Sequence, residues 1–291
     1  MQVELPPSFL ASPAWFSGGA AWLAALPQAV GMQCAAWRLR IAGELAHGSH
    51  AIVVPVERDS ESFVLRMSPP GPDLDAHIRA LRFWDGRGTA RLFDADAASG
   101  AMLLERLGEP LARVPVDEAI PLLGAMMRRL AVPAPDDVPS TADLVRARLS
   151  RLEADWQALQ RPFDRAILTE ALDVGEALCR SESELAVNGD MHSAQVLRGQ
   201  RETWLTVDPV LLRGDIAYDL ARVLWTRLDE MAGPATIIEH FDAAAAAAGV
   251  ERDHARDWVL LRAVDYWLWG LRAGLTEDPV RCRRLVQVFV T

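Results

Sequence analysis

The period of the hydrophobic pattern changes near residue 106, and that change divides the chain. Ahead of it the apolar residues mostly keep a strand-like period. Trp37-Arg-Leu-Arg-Ile41 alternates apolar and charged residues, as a half-buried strand does. Residues 51–57 and 62–67 are β-branched, apolar runs around Arg58-Asp-Ser-Glu61, which predicts a hairpin. Two further short strands are expected around 90–93 and 101–105, joined at a turn holding Gly100. Helical spacing interrupts these strands twice. Residues 20–37 read as a helix or a helix pair divided at Pro27, and residues 73–84 carry Leu74, Ile78, Leu81 and Trp84 on one face. Asp73 and Asp75 fall in the first turn of the second helix, where they complement its dipole. Beyond 106 the 3.6-residue period dominates. Helices are expected over 116–130, 141–159, 165–179, 215–231, 236–248 and 252–273. One non-helical island, 185–215, interrupts them, with apolar runs at 185–187 and 204–207. The reading is therefore an N-terminal unit over 1–107, mixed in strands and helix, and a helical unit over 108–291.

Charge narrows the function classes. Formal net charge is -10, against a nucleic-acid binder with a basic surface. All 30 basic residues are arginine, which excludes a Schiff-base lysine and a P-loop lysine. The acidity is uneven: residues 1–107 hold 11 acids and 9 Arg, net -2, and residues 108–291 hold 29 acids and 21 Arg, net -8. A cationic substrate suits that field. Cys34, Cys179 and Cys282 are too few and too far apart for a disulfide framework or a zinc ribbon, so buried free thiols are expected. Residues 1–10 show no basic run ahead of an apolar core, so no signal peptide is expected. The apolar stretch 18–37 is broken by Pro27 and Gln28 and is too weak to span a membrane. A cytoplasmic protein is the expectation.

The chemistry concentrates in the island. Asn188-Gly-Asp-Met-His-Ser-Ala-Gln195 is its densest polar cluster, and Asp208 closes the run Trp204-Leu-Thr-Val-Asp208-Pro thirteen residues after Gln195. Asp215 and Asp219 follow in Gly214-Asp-Ile-Ala-Tyr-Asp-Leu-Ala221. An acid in a short loop, an amide five residues on and an acid at a strand end are the groups that phosphoryl transfer requires. One carboxylate orients a hydroxyl and accepts its proton, while an amide oxygen and a second carboxylate hold Mg²⁺ against ATP.

This stretch resembles the catalytic segment of the aminoglycoside phosphotransferase family, a protein-kinase-like group. It is most similar to the branch of streptomycin 6-kinases and hydroxyurea phosphotransferases. The family pattern runs His-Gly-Asp-x-His-x-x-Asn, then Ile-Asp-Pro, then Gly-Asp-x-x-Tyr-Asp-Leu-Ala. Gly48-Ser-His-Ala-Ile-Val-Val-Pro55, Phe63-Val-Leu-Arg66, Ala80-Leu-Arg-Phe-Trp-Asp-Gly86 and Leu103-Leu-Glu-Arg-Leu107 also have counterparts there, so the likeness covers roughly residues 35–225. It implies a bilobal α+β fold: a small lobe with an antiparallel sheet plus a helix, a large mostly helical lobe, and ATP in the cleft between them. It implies Asp190 as the base that orients the acceptor hydroxyl, and Asp208 and Gln195 as ligands of Mg²⁺. Gly43 and the Gly48, Ser49 and His50 loop would lie over the ATP phosphates, with Arg66 in the place of the strand lysine. Asp215 and Asp219 would brace the catalytic loop.

The chain departs from the pattern at four positions. Arg66 replaces the nucleotide lysine, His77 its partner glutamate, Asn188 the loop histidine and Gln195 the metal asparagine. Arginine keeps the charge of lysine but needs other geometry. Other acids are weaker candidates. Asp229 and Glu230 could meet a cationic acceptor or simply form a solvated helix face, and Asp265 lies with Trp267 and Trp269 on a late helix where the family builds substrate pockets. His192 reads as a loop hydrogen-bonder, since no second His or Cys lies at ligand spacing. The expected function is Mg²⁺-ATP-dependent phosphorylation of a small-molecule hydroxyl on an aminoglycoside such as streptomycin, without nucleic acid or membrane. The alternatives are a pseudokinase that binds nucleotide without turnover and a kinase for a metabolite.

Overall fold

A computed structural model describes residues 4–11 and 19–290. Residues 1–3 of the segment read for a leader, and Gly18 at the head of the long apolar stretch, lie outside the described residues. The chain divides into two compact units. One takes the described residues up to Gly108 together with Gly199–Leu205, and the other takes Glu109–Arg198 and the described residues from Thr206 onward.

The first unit is built on an antiparallel sheet of six strands: β1 (Arg40–Ile41), β2 (Ala46–His47), β3 (Ile52–Arg58), β4 (Glu61–Met67), β5 (Leu92–Asp96) and β6 (Ala101–Glu105). Its order is β1-β3-β4-β6-β5, with β2 also paired to β3. Arg58 pairs with Glu61, so Asp59 and Ser60 are the whole β3–β4 turn. Their φ angles are 52° and 68°, as a two-residue hairpin turn that follows the strand twist requires. Alternation then assigns the two faces. Ile52, Val54, Val56, Phe63, Leu65, Met67, Ala101 and Leu103 pack with Phe9 of α1 (Pro7–Leu10) and with Leu23, Leu26, Val30 and Cys34 of α2 (Gly19–Ala36). Met102 and Leu104 face the other way, onto Leu74, Ile78 and Leu81 of α3 (Pro72–Trp84).

Of the two readings left open at Pro27, the single helix holds: α2 runs unbroken through it. One local reading is corrected. The strand expected from residue 37 begins only at Arg40. Arg38 is left-handed (φ 56°), and Leu39 N–H returns 2.8 Å to the Cys34 carbonyl, closing α2 with a turn.

The second unit contains α4 (Val116–Leu130), α5 (Thr141–Ala158), α6 (Arg165–Leu178), α7 (Leu220–Trp225), α8 (Pro234–Ala248), α9 (Arg252–Arg272) and α10 (Asp278–Phe289). The expected helix over 215–231 is instead a 3-10 turn at Ile216–Asp219, the short α7 and a second 3-10 turn at Leu228–Glu230. Asp215 and Arg227 bracket these pieces. Asp215 accepts the Ala217 N–H, and the buried Arg227 donates to the Val114 carbonyl at 2.8 Å. Helix α10 had no sequence expectation, although Cys282, Leu285, Val286 and Phe289 repeat at helical spacing and are buried. The island forms β7 (Leu185–Val187) paired to β10 (Leu212–Gly214), and β8 (Val196–Arg198) paired to β9 (Trp204–Thr206). Among the described residues no helix is long and apolar enough to cross a membrane.

The alanine run of α8 acquires a purpose here. Gly124 of α4 lies so close to it that a Cβ on Gly124 would overlap the Ala244 carbonyl oxygen. Gly31 of α2 has nothing near its missing Cβ. Gly31→Ala is expected to raise the melting temperature, by about 0.5–1 kcal/mol of recovered helix propensity. Gly124→Ala is expected to lower it despite the same propensity gain. Thermal denaturation of both variants checks the contrast, and a stabilising Gly124→Ala would contradict this α4–α8 packing.

Candidate active site

Antiparallel pairing sets the frame, with Val187 of β7 opposite Leu212 of β10. The chain leaves β7 at Asn188 and turns at Gly189, whose φ is +78°. A Cβ there would also come within 2.8 Å of Leu212 Cδ1, so backbone and packing both call for glycine. The turn aims two amides at one side chain. Gly189 N–H donates to Asp219 Oδ2 at 3.1 Å, and Met191 N–H donates to Asp219 Oδ1 at 3.4 Å. Asp219 is 1% exposed. Burial raises its pKa to about 7, against the pull of the Arg262 guanidinium and of those two amides, while the Asp190 charge pushes it up further.

With the turn fixed, Asp190 stands between Gly189 and Met191, part-exposed and held at both oxygens. Arg222 Nε of α7 donates to Oδ1 at 2.7 Å, and Gln195 Nε2 donates to Oδ2 at 2.9 Å. Gln195 ends the 3-10 turn Ser193–Gln195, and its backbone carbonyl accepts Val207 N–H at 2.9 Å. Val210 N–H is shared between the Asn188 carbonyl (2.9 Å) and the Asn188 side-chain oxygen (3.2 Å). Asp208 therefore lies on a short span tied at both ends to the loop that carries Asp190 and Gln195. The Asn188 amide does the tying in the place where the family carries histidine. His192 Nε2 is 3.8 Å from Asp190 Oδ2. Burial and then the Arg222 charge depress its pKa to about 4, against Asp190 and Asp208, so it is a neutral imidazole near pH 7.

The far end of Gln195 bears on metal binding. Its Oε1 is buried and has no protein partner, while its nitrogen is committed to Asp190. A buried acceptor without a donor carries an uncompensated desolvation cost, which a cation would offset. An amide oxygen beside a carboxylate is a donor set for a hard cation such as Mg²⁺. Among the described residues no group of three or more His, Cys, Asp or Glu could hold a metal. Two protein ligands plus substrate oxygens are the usual Mg²⁺ arrangement in phosphoryl-transfer sites.

The other candidates sit as follows. Asp215 is buried. It caps the Ile216–Asp219 turn through Ala217 N–H (3.0 Å), takes a bond from His254, and donates its own N–H to Thr141 Oγ1 at 3.2 Å. Asp229 is ion-paired to Arg281 (2.6 Å) and Arg284 (3.3 Å) of α10, and Glu230 pairs with Arg227, so both carboxylates already have cations. Asp265 is buried on α9 with Arg148 at 3.7 Å, and burial raises its pKa against Arg148 and Arg262. Trp267 is buried and Trp269 is exposed. In the first unit, Gly48, Ser49 and His50 form the exposed tip between β2 and β3, closed by Gly48 N–H on the Ala51 carbonyl (2.9 Å). His47, at the base of that tip, is tied to Ser8 Oγ at 2.7 Å. Arg66 of β4 pairs across to Met102, on the α3 face of the sheet, and donates to Ser68 Oγ at 3.1 Å. His77 is buried on α3. Arg222 escaped the sequence reading. Its one signal was its place directly after Asp219-Leu-Ala221, three residues beyond the loop-bracing carboxylate.

Comparison with known proteins agrees over nearly the whole chain. The family model described as aminoglycoside/hydroxyurea antibiotic resistance kinase matches residues 36–274. Streptomycin 6-kinase of Streptomyces glaucescens is 34% identical over 289 residues, covering 95% of this chain and 94% of that protein. Hydroxyurea phosphotransferase of Kitasatospora aureofaciens is 29% identical, covering 99% and 86%. Among solved structures, a thermostable mutant of aminoglycoside phosphotransferase APH(4)-Ia in ternary complex with ADP and hygromycin B superposes with a TM-score of 0.63 at 15% identity, covering 90% of this chain and 98% of that one. Choline kinase LicA from Streptococcus pneumoniae superposes with a TM-score of 0.57 at 10% identity, covering 91% and 98%. These two share the protein-kinase-like α+β fold.

The Asp215–His254 pair makes stability depend on pH. Burial pushes the Asp215 pKa up, but the His254 bond and the Ala217 amide outweigh it and leave the group below its ordinary value. The bond to Asp215 raises His254 above its own, against burial. The depressed carboxylate contributes stability above the unfolded Asp value, near ~4, and loses it in acid. The raised imidazole contributes below the unfolded His value, near ~6.5, and loses it as pH climbs through the folded value. The pair is thus complete between those limits. The urea midpoint should fall from pH 6 to pH 9, and His254→Gln should flatten that fall. An unchanged slope in the variant would contradict the pairing.

Proposed function

The chain belongs to the aminoglycoside/hydroxyurea antibiotic resistance kinase family, and from that premise we propose that it transfers the γ-phosphoryl group of ATP to a hydroxyl of an antibiotic, with streptomycin the first acceptor to test. The observation that carries this reading is Gln195. One end of its amide holds the Asp190 carboxylate, and the other is a buried oxygen without a partner. A single side chain thereby links the position of a base to the position of a metal.

In the proposed reaction, the acceptor oxygen bonds to the γ-phosphorus and the bridging β–γ bond breaks. The electron pair leaves on ADP, and the hydroxyl proton passes to Asp190. The Asp190 carboxylate offers about four lone-pair sites, and Arg222 and Gln195 occupy two, so capacity remains for a hydroxyl. Asp208 and Gln195 Oε1 would hold Mg²⁺, which when bound neutralises charge on the phosphate oxygens. Arg66, Gly48, Ser49 and His50 are the proposed phosphate contacts, and Asp215 and Asp219 the proposed braces. Their support is the family pattern together with the placements above. The acid excess of residues 108–291 suits a cationic acceptor. Asp229, whose carboxylate already has two arginines, fits that role less well than the buried, arginine-flanked Asp265 fits a role in shaping the site.

A second reading, nucleotide binding without turnover, draws on Arg66 and His77. Arginine stands where the family has lysine, and a histidine stands where a carboxylate would pair with it. Two measurements separate the readings. Mg²⁺-ATP should raise the melting temperature more than ATP alone, and Asp208→Ala should abolish the metal-dependent part. Asp190→Asn should keep the nucleotide-induced shift and lose phosphate transfer to streptomycin by about 10²- to 10⁴-fold, the usual contribution of a positioned base. Nucleotide binding with no transfer by the wild-type chain would favour the second reading.

A further inference from the structure

The Asp190 carboxylate is held from two sides, and only one of them belongs to its own loop. Gln195 holds Oδ2 from within the loop, and its remaining oxygen is buried without a protein partner. Arg222 holds Oδ1 from α7, through Nε rather than through the open fork of the guanidinium. The rest of that guanidinium is employed elsewhere. Its Nη1 lies 3.5 Å from Tyr266 Oη, and its centre sits 5.6 Å from the Trp225 ring and 5.8 Å from the Tyr266 ring. The two rings stack at 4.4 Å with an interplanar angle of 21°, and Trp269 leans on Tyr266 at 5.0 Å. The Tyr266 hydroxyl donates to Asp278 Oδ2 at 3.3 Å, and Asp278 is ion-paired to Arg281 at 3.0 Å. A relay of contacts thus runs from α10 through Tyr266 of α9 and Arg222 of α7 to Asp190.

We propose that Arg222 is a positioning residue for the phosphoryl-transfer step: seated on the Trp225–Tyr266 stack, it fixes the orientation of the Asp190 carboxylate toward the acceptor hydroxyl. The inference rests on the reading of Asp190 as the base. A plain surface ion pair does not account for the arrangement. Such a pair needs neither an aromatic seat nor a second hydrogen bond to hold the arginine still. Methionine in place of Arg222 keeps an apolar chain on the two rings, whereas a displacement of about 1 Å at a reacting group costs about 10²-fold in rate. The cost of losing Arg222 should therefore appear in kcat and not in folding. Lysine could reach Asp190 or Tyr266 but has no fork to serve both.

The test uses the full chain, with steady-state transfer from Mg²⁺-ATP to streptomycin and to hydroxyurea in parallel. Arg222→Met should lower kcat by about 10- to 100-fold, with the KM for ATP within about twofold and the Mg²⁺-ATP thermal shift retained. Arg222→Lys should recover part of the loss. Tyr266→Phe, which frees the far end of the arginine, should lose less than Arg222→Met. In an Asp190→Asn background, Arg222→Met should cost nothing further, because its effect passes through Asp190. Should Arg222→Met not fold, the lysine variant and Tyr266→Phe carry the same comparison. Full kcat in these variants, beside an inactive Asp190→Asn, overturns the positioning role. So does an undiminished loss in the Asp190→Asn background. An active Asp190→Asn, or a wild-type chain inert on both acceptors, overturns the reading of Asp190 beneath it.

Discussion

A carboxylate taken out of water has to be given donors, and the candidate site is arranged around that requirement at Asp219. The group is 1% exposed, and the loop after β7 supplies the donors as the amides of Gly189 and Met191. Both amides can face one side chain only if the chain reverses sharply between them and β7. Gly189 makes that reversal with φ +78°, where a Cβ would strike Leu212. Asp190 is the residue between the two amides, so its direction follows from the burial of a different acid. Asp219, in turn, is placed by the Ile216–Asp219 turn that Asp215 caps. Two buried acids, Asp215 and Asp219, thus set the place of a third that is part-exposed, Asp190.

The same loop sets the place of Asp208, the proposed metal ligand. Asp208 is brought to the loop by backbone bonds at Val207 and Val210, on either side of it. The acceptors are the Gln195 carbonyl and both oxygens of Asn188. Two of the chain's departures from the family pattern are therefore working parts. Asn188 ties the span that carries Asp208. Gln195, one methylene longer than asparagine, reaches the Asp190 carboxylate with its nitrogen while its oxygen stays free of protein donors.

Much of this could be read from residue order. Period-two alternation located the β3–β4 hairpin, and the Asp59-Ser60 turn follows from its two-residue length. Helical spacing located α3 through α6, α8 and α9. The acid-amide-acid spacing of Asp190, Gln195 and Asp208 pointed to phosphoryl transfer, which the names of the relatives share. What escaped depends on tertiary contacts. The sequence between Asp215 and Met231 has helical spacing throughout, yet a capping Asp215 and an inward-turned Arg227 break it into three pieces. Arg222 had only its place after Asp219 as a signal, because its contacts involve Tyr266, 44 residues later, and Trp225 beneath it. The alanine run 243–248 carries no polar side chain, and its smallness is what lets Gly124 approach. Residues 199–205 lie within the C-terminal half of the sequence but group with the first unit. There Arg201 donates to the carbonyls of Gly86 (2.6 Å) and Thr89 (2.9 Å), and alternation patterns carry no record of such bonds.

The central claim is that one amide, Gln195, serves the base and the metal at once. A crystal structure of the chain with Mg²⁺ and AMP-PNP tests it most directly. The account predicts Mg²⁺ about 2.1 Å from Gln195 Oε1 and from an Asp208 carboxylate oxygen, with Gln195 Nε2 still on Asp190. Mg²⁺ bound through other residues, or a Gln195 side chain swung away from Asp190 to reach it, would contradict the account.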